Sequence, residues 1–339
     1  MIITSSPGKV ILFGEHAVVY DKLGIACTID KRCYVKVSFS NKENISVRSI
    51  DLDLSNSFQE KQLLDLFETI NKLKTNKEFQ KIREIYQENR LVPVFFILGD
   101  IAKKYGFRGL EIEIKSDIPK NLGSSSAVFS AVAFGVLSLL KEDVSKKEIS
   151  DFAFLGDILA HGGTPSGIDN TIVTYGGYLK YKKSQGVIPL NINFEIPLLI
   201  VDSGEEAQTG EMVSFVREEK KKNSKFVDDI LHSLDIISQK ALGALNSKNL
   251  FLLGKLMVEY YKELKKLKIS TPKLDNIVEI ALKNKALGVK PTGGWGGGCC
   301  LVLFDNKDKA LKLINTFKDY GFSSFLSKSG VEGTKIIIH

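Results

Sequence analysis

The segment from Lys9 to His16 places a lysine, a carboxylate and an imidazole within eight residues. Alternation of residue types puts Lys9 and Ile11 on one face of a predicted strand, and Gly14 interrupts the strand before Glu15. A lysine in this setting can neutralise a phosphate or a developing alkoxide. A single lysine or glutamate is usually just solvent-exposed, so this segment gains meaning only from others that accompany it.

A glycine and three serines, Gly123 to Ser126, open a strongly apolar stretch in the middle of the chain. Glycine lets the backbone approach a ligand closely, and the free N–H groups at a helix start attract anions. The hydroxyls can hold Mg²⁺ or simply cap the helix, and the residues alone leave both options open. No Gly-Lys-Ser/Thr follows a glycine at the required spacing, so the segment is not a Walker A motif.

Two later loops also carry candidate chemistry. The loop 161–169 ends in Asp169 after a glycine-rich turn, where a carboxylate can accept a hydroxyl proton or merely cap the turn. From Gly293 to Gly298 every residue except Trp295 is glycine. Because such a loop costs backbone entropy, close approach to a ligand or to another loop explains it better than a flexible linker does.

Strands and helices must position these four segments. Residue patterning predicts strands at 10–13, 17–20, 34–39, 110–114, 197–202, 301–304 and 334–338, with more strands between 169 and 181. It predicts helices at 63–105 with a break near 93, from the three serines to 140, and at 147–160, 209–222, 227–246, 249–264, 271–285 and 307–320. The lysine-rich stretch 187–197 is the best boundary, which indicates two α+β halves with a ligand cleft between them.

Composition and charge narrow the class of protein. The 339 residues are 43% apolar and 26% charged, as in ordinary globular proteins of one large or two smaller domains. The net charge of +7 comes from lysines mixed with acids in helical runs, which favours solvated helix faces and an anion-binding cleft. No nucleic-acid-binding motif accompanies the charge, so a nucleic-acid partner is not expected.

The four cysteines and the apolar stretches bear on cellular location. No cysteine pair has the spacing of a zinc site, and no signal peptide is recognisable, which predicts reduced thiols in the cytoplasm. The best apolar stretch, 127–140, is shorter than the ~20 residues of a membrane span, so no membrane partner is expected.

In their order and spacing, the four segments resemble the GHMP kinases, the superfamily of galactokinase, homoserine kinase, mevalonate kinase and phosphomevalonate kinase. The resemblance is greatest to the mevalonate kinases, in the opening motif 7–20, the loop 164–170 and the lead-in 286–290 to the last glycine loop. It implies an α+β fold of two domains. The first, 1–190, would resemble the ribosomal protein S5 fold, and the second, 191–339, would be ferredoxin-like.

The resemblance also implies roles for individual residues. Asp169 would take the proton of the substrate hydroxyl, and Lys9 would lower the pKa of that hydroxyl and stabilise the phosphoryl group in transfer. Ser125 and Asp157 would hold Mg²⁺. Residues implied to bind ATP are Ser116, Lys120, Asn121, Leu122, Gly123, Ser124, Ser125 and Ser126. Residues implied to lie near the substrate are Glu15, His16, Thr209, Gly293 and Gly294.

The expected activity is ATP-dependent phosphorylation of the 5-hydroxyl of mevalonate in a cytoplasmic enzyme, with a homodimer left open. The chain departs from the family in a short phosphate loop at 119–123, in Asp157 where a glutamate is usual, and in Trp295 within the last glycine loop. Two alternatives therefore stay open. One is a GHMP kinase for another acceptor, such as phosphomevalonate, the 3-hydroxyl of mevalonate, a sugar or homoserine. The other is a nucleotide-binding sensor without turnover.

Overall fold

Two β-sheets organise the chain in the computed structural model, which describes residues 1–107, 109–141, 143–161, 163, 165–207 and 209–338. The strands within these ranges are β1 (Ile2–Phe13), β2 (Gly24–Phe39), β3 (Asn44–Ser49), β4 (Leu54–Gln59), β5 (Leu110–Ser116), β6 (Tyr178–Lys182), β7 (Gly186–Leu190), β8 (Leu198–Asp202), β9 (Gly288–Pro291), β10 (Cys299–Leu303), β11 (Ser323–Ser327) and β12 (Lys335–Ile338). The helices are α1 (Glu60–Thr75), α2 (Phe79–Glu88), α3 (Val92–Tyr105), α4 (Ser124–Leu140), α5 (Lys146–Ala160), α6 (Ile168–Tyr175), α7 (Thr209–Lys222), α8 (Ser224–Asn246), α9 (Leu250–Lys265), α10 (Pro272–Lys283) and α11 (Lys307–Asp319).

The larger sheet joins eight of the described strands and carries the first motif. Its main order is β12-β1-β2-β5-β3-β4, and β6 pairs with both β2 and β7. Strands β1 and β2 form a long antiparallel pair, and helix α4, which has no charged residue, packs across them. The helix can pack this closely because Gly135 has no side chain. A Cβ at that position would lie only 2.7 Å from the Val37 side chain on β2. The sheet therefore brings the start of α4 beside the middle of β1.

The smaller sheet is antiparallel, with the order β11-β8-β10-β9. If β8, β9, β10 and β11 are counted as strands 1 to 4, their order across the sheet is 4-1-3-2. Helices α7 to α10 follow strand 1, and α11 precedes strand 4. This is the ferredoxin-like arrangement, so the α+β fold expected from the resemblance is confirmed. The division at 190 stays a prediction, and the last strand, β12, returns to pair with β1 in the larger sheet.

Two local predictions were wrong. Residues 17–20 form a 3₁₀ helix rather than a strand, because positive φ angles at Gly14 (108°) and His16 (61°) turn the chain sharply. Residues after Asp169 form helix α6 rather than a strand. The β-branched residues of α6 favour a strand locally, but Asn170 on α6 donates to the Ser150 carbonyl on α5 at 3.0 Å, and packing on the neighbouring helices prevails.

Candidate active site

Lys9 and Asp169 form an ion pair at the centre of the site, with Nζ 2.9 Å from Oδ2. The Lys9 backbone N–H donates to the Leu122 carbonyl at 2.8 Å, which ties β1 to the loop before α4. The Lys9 side chain is 8% exposed and that of Asp169 is 21% exposed, so the pair is largely desolvated while the carboxylate still reaches the surface. The two residues predicted to be catalytic therefore lie together.

Asp169 occupies the first turn of α6, immediately after Gly167 adopts a left-handed conformation with φ of 81°. Burial raises the pKa of Asp169, but the Lys9 ammonium and then His161 outweigh it, and the net pKa lies below its usual value. The positive end of the helix dipole further favours an anion in this turn. Asp169 is therefore ionised at neutral pH and available to accept a hydrogen bond.

The predicted phosphate loop leads into the N-terminus of α4. Gly123 is the N-cap residue with φ of 78°, and no side chain caps the first turn, which leaves its N–H groups to face an incoming anion. Ser116 and Ser124 lie together, with their hydroxyl oxygens 3.1 Å apart. Lys120 and Asn121 are both exposed beside them. The predicted ATP-contacting residues thus lie close together at the start of α4, where Leu122 and Ser126 are buried and the others are exposed or half-buried.

Asp157 is fully buried on α5 and faces the start of α4. The two helices approach closely at Gly156, where a Cβ would lie 2.5 Å from the Phe129 ring. Ser126 donates to Asp157 Oδ1 at 2.6 Å, and Ser125, which was expected to hold Mg²⁺ together with Asp157, is half-buried one residue earlier. Burial, and then the charge of Asp169, raises the pKa of Asp157 to about 8.

Residues predicted to contact the substrate meet on the other side of β1. His16 Nε2 lies 2.9 Å from the Gly294 carbonyl, which can only accept, so this nitrogen carries the proton and Nδ1 is left as an acceptor. Burial lowers the pKa of His16 to about 4, so the ring is neutral at physiological pH. Thr209 packs so tightly on Gly294 that any side chain there would collide with it. Gly293, with φ of 85°, begins the loop.

Three residues outside the predicted set hold this side of the site together. Lys290 forms an ion pair with Glu15, and the side chains of both are completely buried. The Tyr260 hydroxyl on α9 donates to the Glu15 carbonyl at 3.0 Å. Thr292 bonds both backbone groups of Ile11 on β1, at 2.9 and 3.0 Å. Lys290 carried a recognisable signal, because a lysine inside a buried strand requires a partner of opposite charge.

Buried polar atoms without a hydrogen-bond partner concentrate at these motifs. Among the described residues there are seven such side-chain atoms, and five of them belong to residues in or next to the motifs or to Asp157: Glu15 Oε2, His16 Nδ1, Asp157 Oδ2, Asn170 Oδ1 and Trp295 Nε1. Folded proteins pair nearly all buried polar groups, so a cluster of exceptions indicates a place built for something other than stability. The geometry therefore defines a polar site around Lys9 and Asp169 that reaches the last glycine loop beside the smaller sheet.

The fold and the four motifs around this cleft are those of the GHMP small-molecule kinases. The family model described as "GHMP kinases N terminal domain" matches residues 94–177, and "GHMP kinases C terminal" matches residues 241–322. Such kinases use ATP as the phosphoryl donor. Across the described ranges, no helix has the length and apolar character needed to cross a bilayer.

Relatives that match over nearly the whole chain identify the family within this superfamily. Mevalonate kinase of Pyrococcus abyssi is 33% identical over 99% of this chain and 98% of its own, and that of Thermococcus onnurineus has the same identity and coverage. The crystal structure of the Methanococcus jannaschii mevalonate kinase matches with a TM-score of 0.81 and 26% identity, over 96% of this chain and 98% of the other. The chain belongs to the mevalonate kinase family.

Proposed function

We propose that this protein transfers the γ-phosphoryl group of ATP to the 5-hydroxyl of (R)-mevalonate, giving ADP and 5-phosphomevalonate. Membership of the mevalonate kinase family supports the choice of acceptor. The observation that carries the chemistry is the Lys9–Asp169 ion pair, which lies against the N-terminal loop of α4. Phosphoryl transfer depends mainly on positioning and on stabilising charge, and this arrangement supplies both.

In this proposal Asp169 accepts the hydrogen of the acceptor hydroxyl and orients its oxygen for attack. The ionised carboxylate can do so at neutral pH because Lys9 lowers its pKa. As the P–O bond to the leaving ADP lengthens and the new bond forms, the proton passes toward Asp169. Lys9, only 2.9 Å from the carboxylate, stabilises the negative charge on the attacking oxygen and on the phosphoryl group.

The nucleotide phosphates would lie at the start of α4. The first turn has uncapped N–H groups, Ser116 and Ser124 place their hydroxyls beside each other there, and Lys120 is an exposed lysine in the loop that leads into the helix. Helix N-termini bind phosphate through these N–H groups and the helix dipole. Asn121, with φ of 68°, contributes backbone and amide groups where the phosphate loop is short.

Asp157 and Ser125 would hold Mg²⁺, and the donor set fits that ion. Asp157 Oδ2 is buried without a partner, and Mg²⁺ in phosphotransferases is usually bound by one or two carboxylates together with substrate phosphates and water. Within the described ranges no three-residue cluster of His, Cys, Asp or Glu offers a complete cage. When bound, Mg²⁺ would neutralise charge on the ATP phosphates.

The acceptor would lie between β1 and the last glycine loop. His16 Nδ1 and Glu15 Oε2 have unused acceptor capacity there, and Thr209 adds a hydroxyl beside Gly293 and Gly294. A polyhydroxy acid with a free primary alcohol can satisfy such groups. The proposal requires neither a nucleic acid nor a membrane, and a cytoplasmic location and a homodimer stay predictions.

The test is coupled ADP release with Mg-ATP against mevalonate, phosphomevalonate, galactose and homoserine, with the phosphorylated oxygen located by NMR. We expect turnover on mevalonate alone, at its 5-hydroxyl. Turnover on another acceptor, or on the 3-hydroxyl, would move the function within the superfamily. ATP binding without turnover on any acceptor would favour the nucleotide-binding sensor.

A further inference from the structure

A completely buried ion pair joins the two parts of the chain beneath the acceptor side of the cleft. Lys290 lies on β9 of the smaller sheet, and Glu15 follows β1 of the larger one, with both side chains 0% exposed. Lys290 Nζ also donates to the Pro291 carbonyl at 2.8 Å, so its remaining contacts are internal. Burying two charges is costly, and an apolar pair of similar size would often be at least as stable.

Other ionisable groups act on this cluster from the elements packed around it: Cys300 on β10 acts on Lys290, and Asp235 on α8 acts on Tyr260. Tyr260 from α9 donates its hydroxyl to the Glu15 carbonyl and lies with its ring 5.5 Å from Lys290 Nζ. Lys9 on β1 acts on Glu15 at longer range, and His16 is the next residue along the turn. Glu15 Oε1 accepts from Lys290, whereas Oε2 has no partner among the described residues.

We propose that Lys290 is a positioning residue for the acceptor, because its buried ammonium pairs with the Glu15 carboxylate and holds the Glu15–His16 turn against the last glycine loop. The same turn presents His16, whose Nε2–H is already bonded to the Gly294 carbonyl at 2.9 Å. Lys290 therefore acts through Glu15 and His16 and does not itself contact the phosphoryl group. The inference rests on the proposed function only in taking this side of the cleft as the acceptor site.

Removing the ammonium has a definite electrostatic consequence. Burial raises the pKa of Glu15 above its usual value even beside Lys290, whose charge is the largest influence in the opposite direction. In Lys290→Met, Glu15 should therefore be protonated at neutral pH and become ionised again only as the pH rises. Burial keeps His16 neutral and Tyr260 protonated through pH 7–9, so neither of these neighbours changes charge in that window.

The experiment compares wild type, Lys290→Met and the double variant Glu15→Gln/Lys290→Met, each assayed from about pH 6.5 to pH 9.5. The acceptor is the compound that the wild type phosphorylates, so failure of the mevalonate assignment is seen before the variants are compared. Lys309→Met, which removes an exposed lysine paired with Asp305, is the control for loss of a lysine charge. Circular dichroism establishes that each variant is folded.

We expect Lys290→Met to raise the acceptor KM about 10-fold or more at pH 7, with little change in the KM for ATP. That increase should shrink as the pH rises, whereas the double variant, which has no titrating group at residue 15, should keep a raised acceptor KM at every pH. An increase that is equal in both variants and independent of pH would overturn the proposal. If Lys290→Met does not fold, the double variant alone tests the proposal. An acceptor KM equal to that of the wild type in the double variant would also overturn the proposal.

Discussion

At the residue scale, the site pairs two aspartates whose environments move their pKa values in opposite directions. Burial raises the pKa of Asp157 to about 8, and the charge of Asp169 adds to that effect. Burial acts on Asp169 in the same sense, but Lys9 reverses the outcome. A carboxylate with a lowered pKa is a weak base, so in the proposed reaction Asp169 orients the hydroxyl and takes its proton only as the phosphoryl group is transferred, which suits a loose transition state.

Asp169→Asn should lower kcat by about 10²–10⁴-fold, because the amide cannot accept the proton. The KM for ATP should change little, since Asp169 faces Lys9 and not the predicted phosphate surface. Steady-state kinetics with varied ATP and acceptor measures both constants. Asp305→Asn, an exposed aspartate paired with Lys309, is the matched control and should behave as wild type. A near-normal kcat in Asp169→Asn would remove Asp169 from the reaction.

Asp157→Asn should stabilise the folded protein at alkaline pH while weakening Mg-ATP binding. Because the folded pKa is raised, the native state loses stability as the pH rises from about 4 toward 8, and asparagine does not titrate. The variant should gain about 2 kcal/mol or more over wild type at pH 8.5 and little near pH 4.5.

Denaturant unfolding at several pH values, without Mg²⁺ or nucleotide, measures this difference. Asp151→Asn changes an exposed aspartate of the same helix and should show no such alkaline gain. A stability difference between Asp157→Asn and wild type that stays constant with pH would mean that Asp157 is already ionised in the fold.

At the element scale, the start of α4 determines where Lys9 lies. Gly123 adopts φ of 78°, and a Cβ there would lie 2.6 Å from Lys9 Cγ. The same residue therefore ends the proposed phosphate loop, begins the helix and packs against Lys9, the proposed catalytic lysine. The carbonyl of Leu122 completes this contact by accepting the Lys9 backbone N–H at 2.8 Å. Loop, helix and strand are consequently one rigid unit around Lys9.

Gly123→Ala should reduce kcat/KM by about 100-fold, since displacing a catalytic group by about 1 Å can cost that much. Gly186→Ala is the matched control, because Gly186 has a similar φ of 73° with no atom within 4 Å of the added carbon. Both variants should lose about 1–2 kcal/mol of stability from backbone strain. Equal activity in the two would show that the contact with Lys9 does not matter.

At the scale of the whole molecule, β1 connects everything that the reaction needs. Its start pairs with β12, its middle carries Lys9, and its end leads to Glu15 and His16. The last glycine loop reaches the same strand through Thr292, which bonds both backbone groups of Ile11. The donor and acceptor sides of the cleft therefore share one strand, and their spacing depends on this tie between the two sheets.

Thr292→Val should leave the N–H group of Ile11 unpaired, and its C=O group with only the 3.5 Å contact from Lys290 Nζ, and should cost about 1–3 kcal/mol of stability. The acceptor KM should rise because the glycine loop is then held less firmly. Thr292→Ser keeps the hydroxyl and should retain both properties, which separates the hydrogen bonds from side-chain volume. Urea unfolding measures the stability, and acceptor titration measures the acceptor KM. An unchanged acceptor KM in Thr292→Val would show that the bonds between Thr292 and Ile11 do not position the glycine loop.

Much of the fold and the identity of the candidate residues could be predicted from local pattern. Alternation predicted the strands at 34–39 and 110–114, and the Thr271-Pro272 start of α10 followed from capping preference alone. The 17–20 segment and α6 could not be predicted in this way. Their residues favour strands locally, and only the turn at His16 and the packing of Asn170 on α5 override that preference.

The sequence by itself determined which chemical groups this protein has: a lysine on a strand, a glycine-led serine cluster, an aspartate after a tight turn and a final glycine loop. These are visible because short-range spacing is written along the chain. Only the tertiary structure decided that Lys9 pairs with Asp169, that Ser126 bonds Asp157, and that Lys290 meets Glu15. These pairs span long separations in sequence, and burial and charge neutralisation select them only once the sheets and helices have packed.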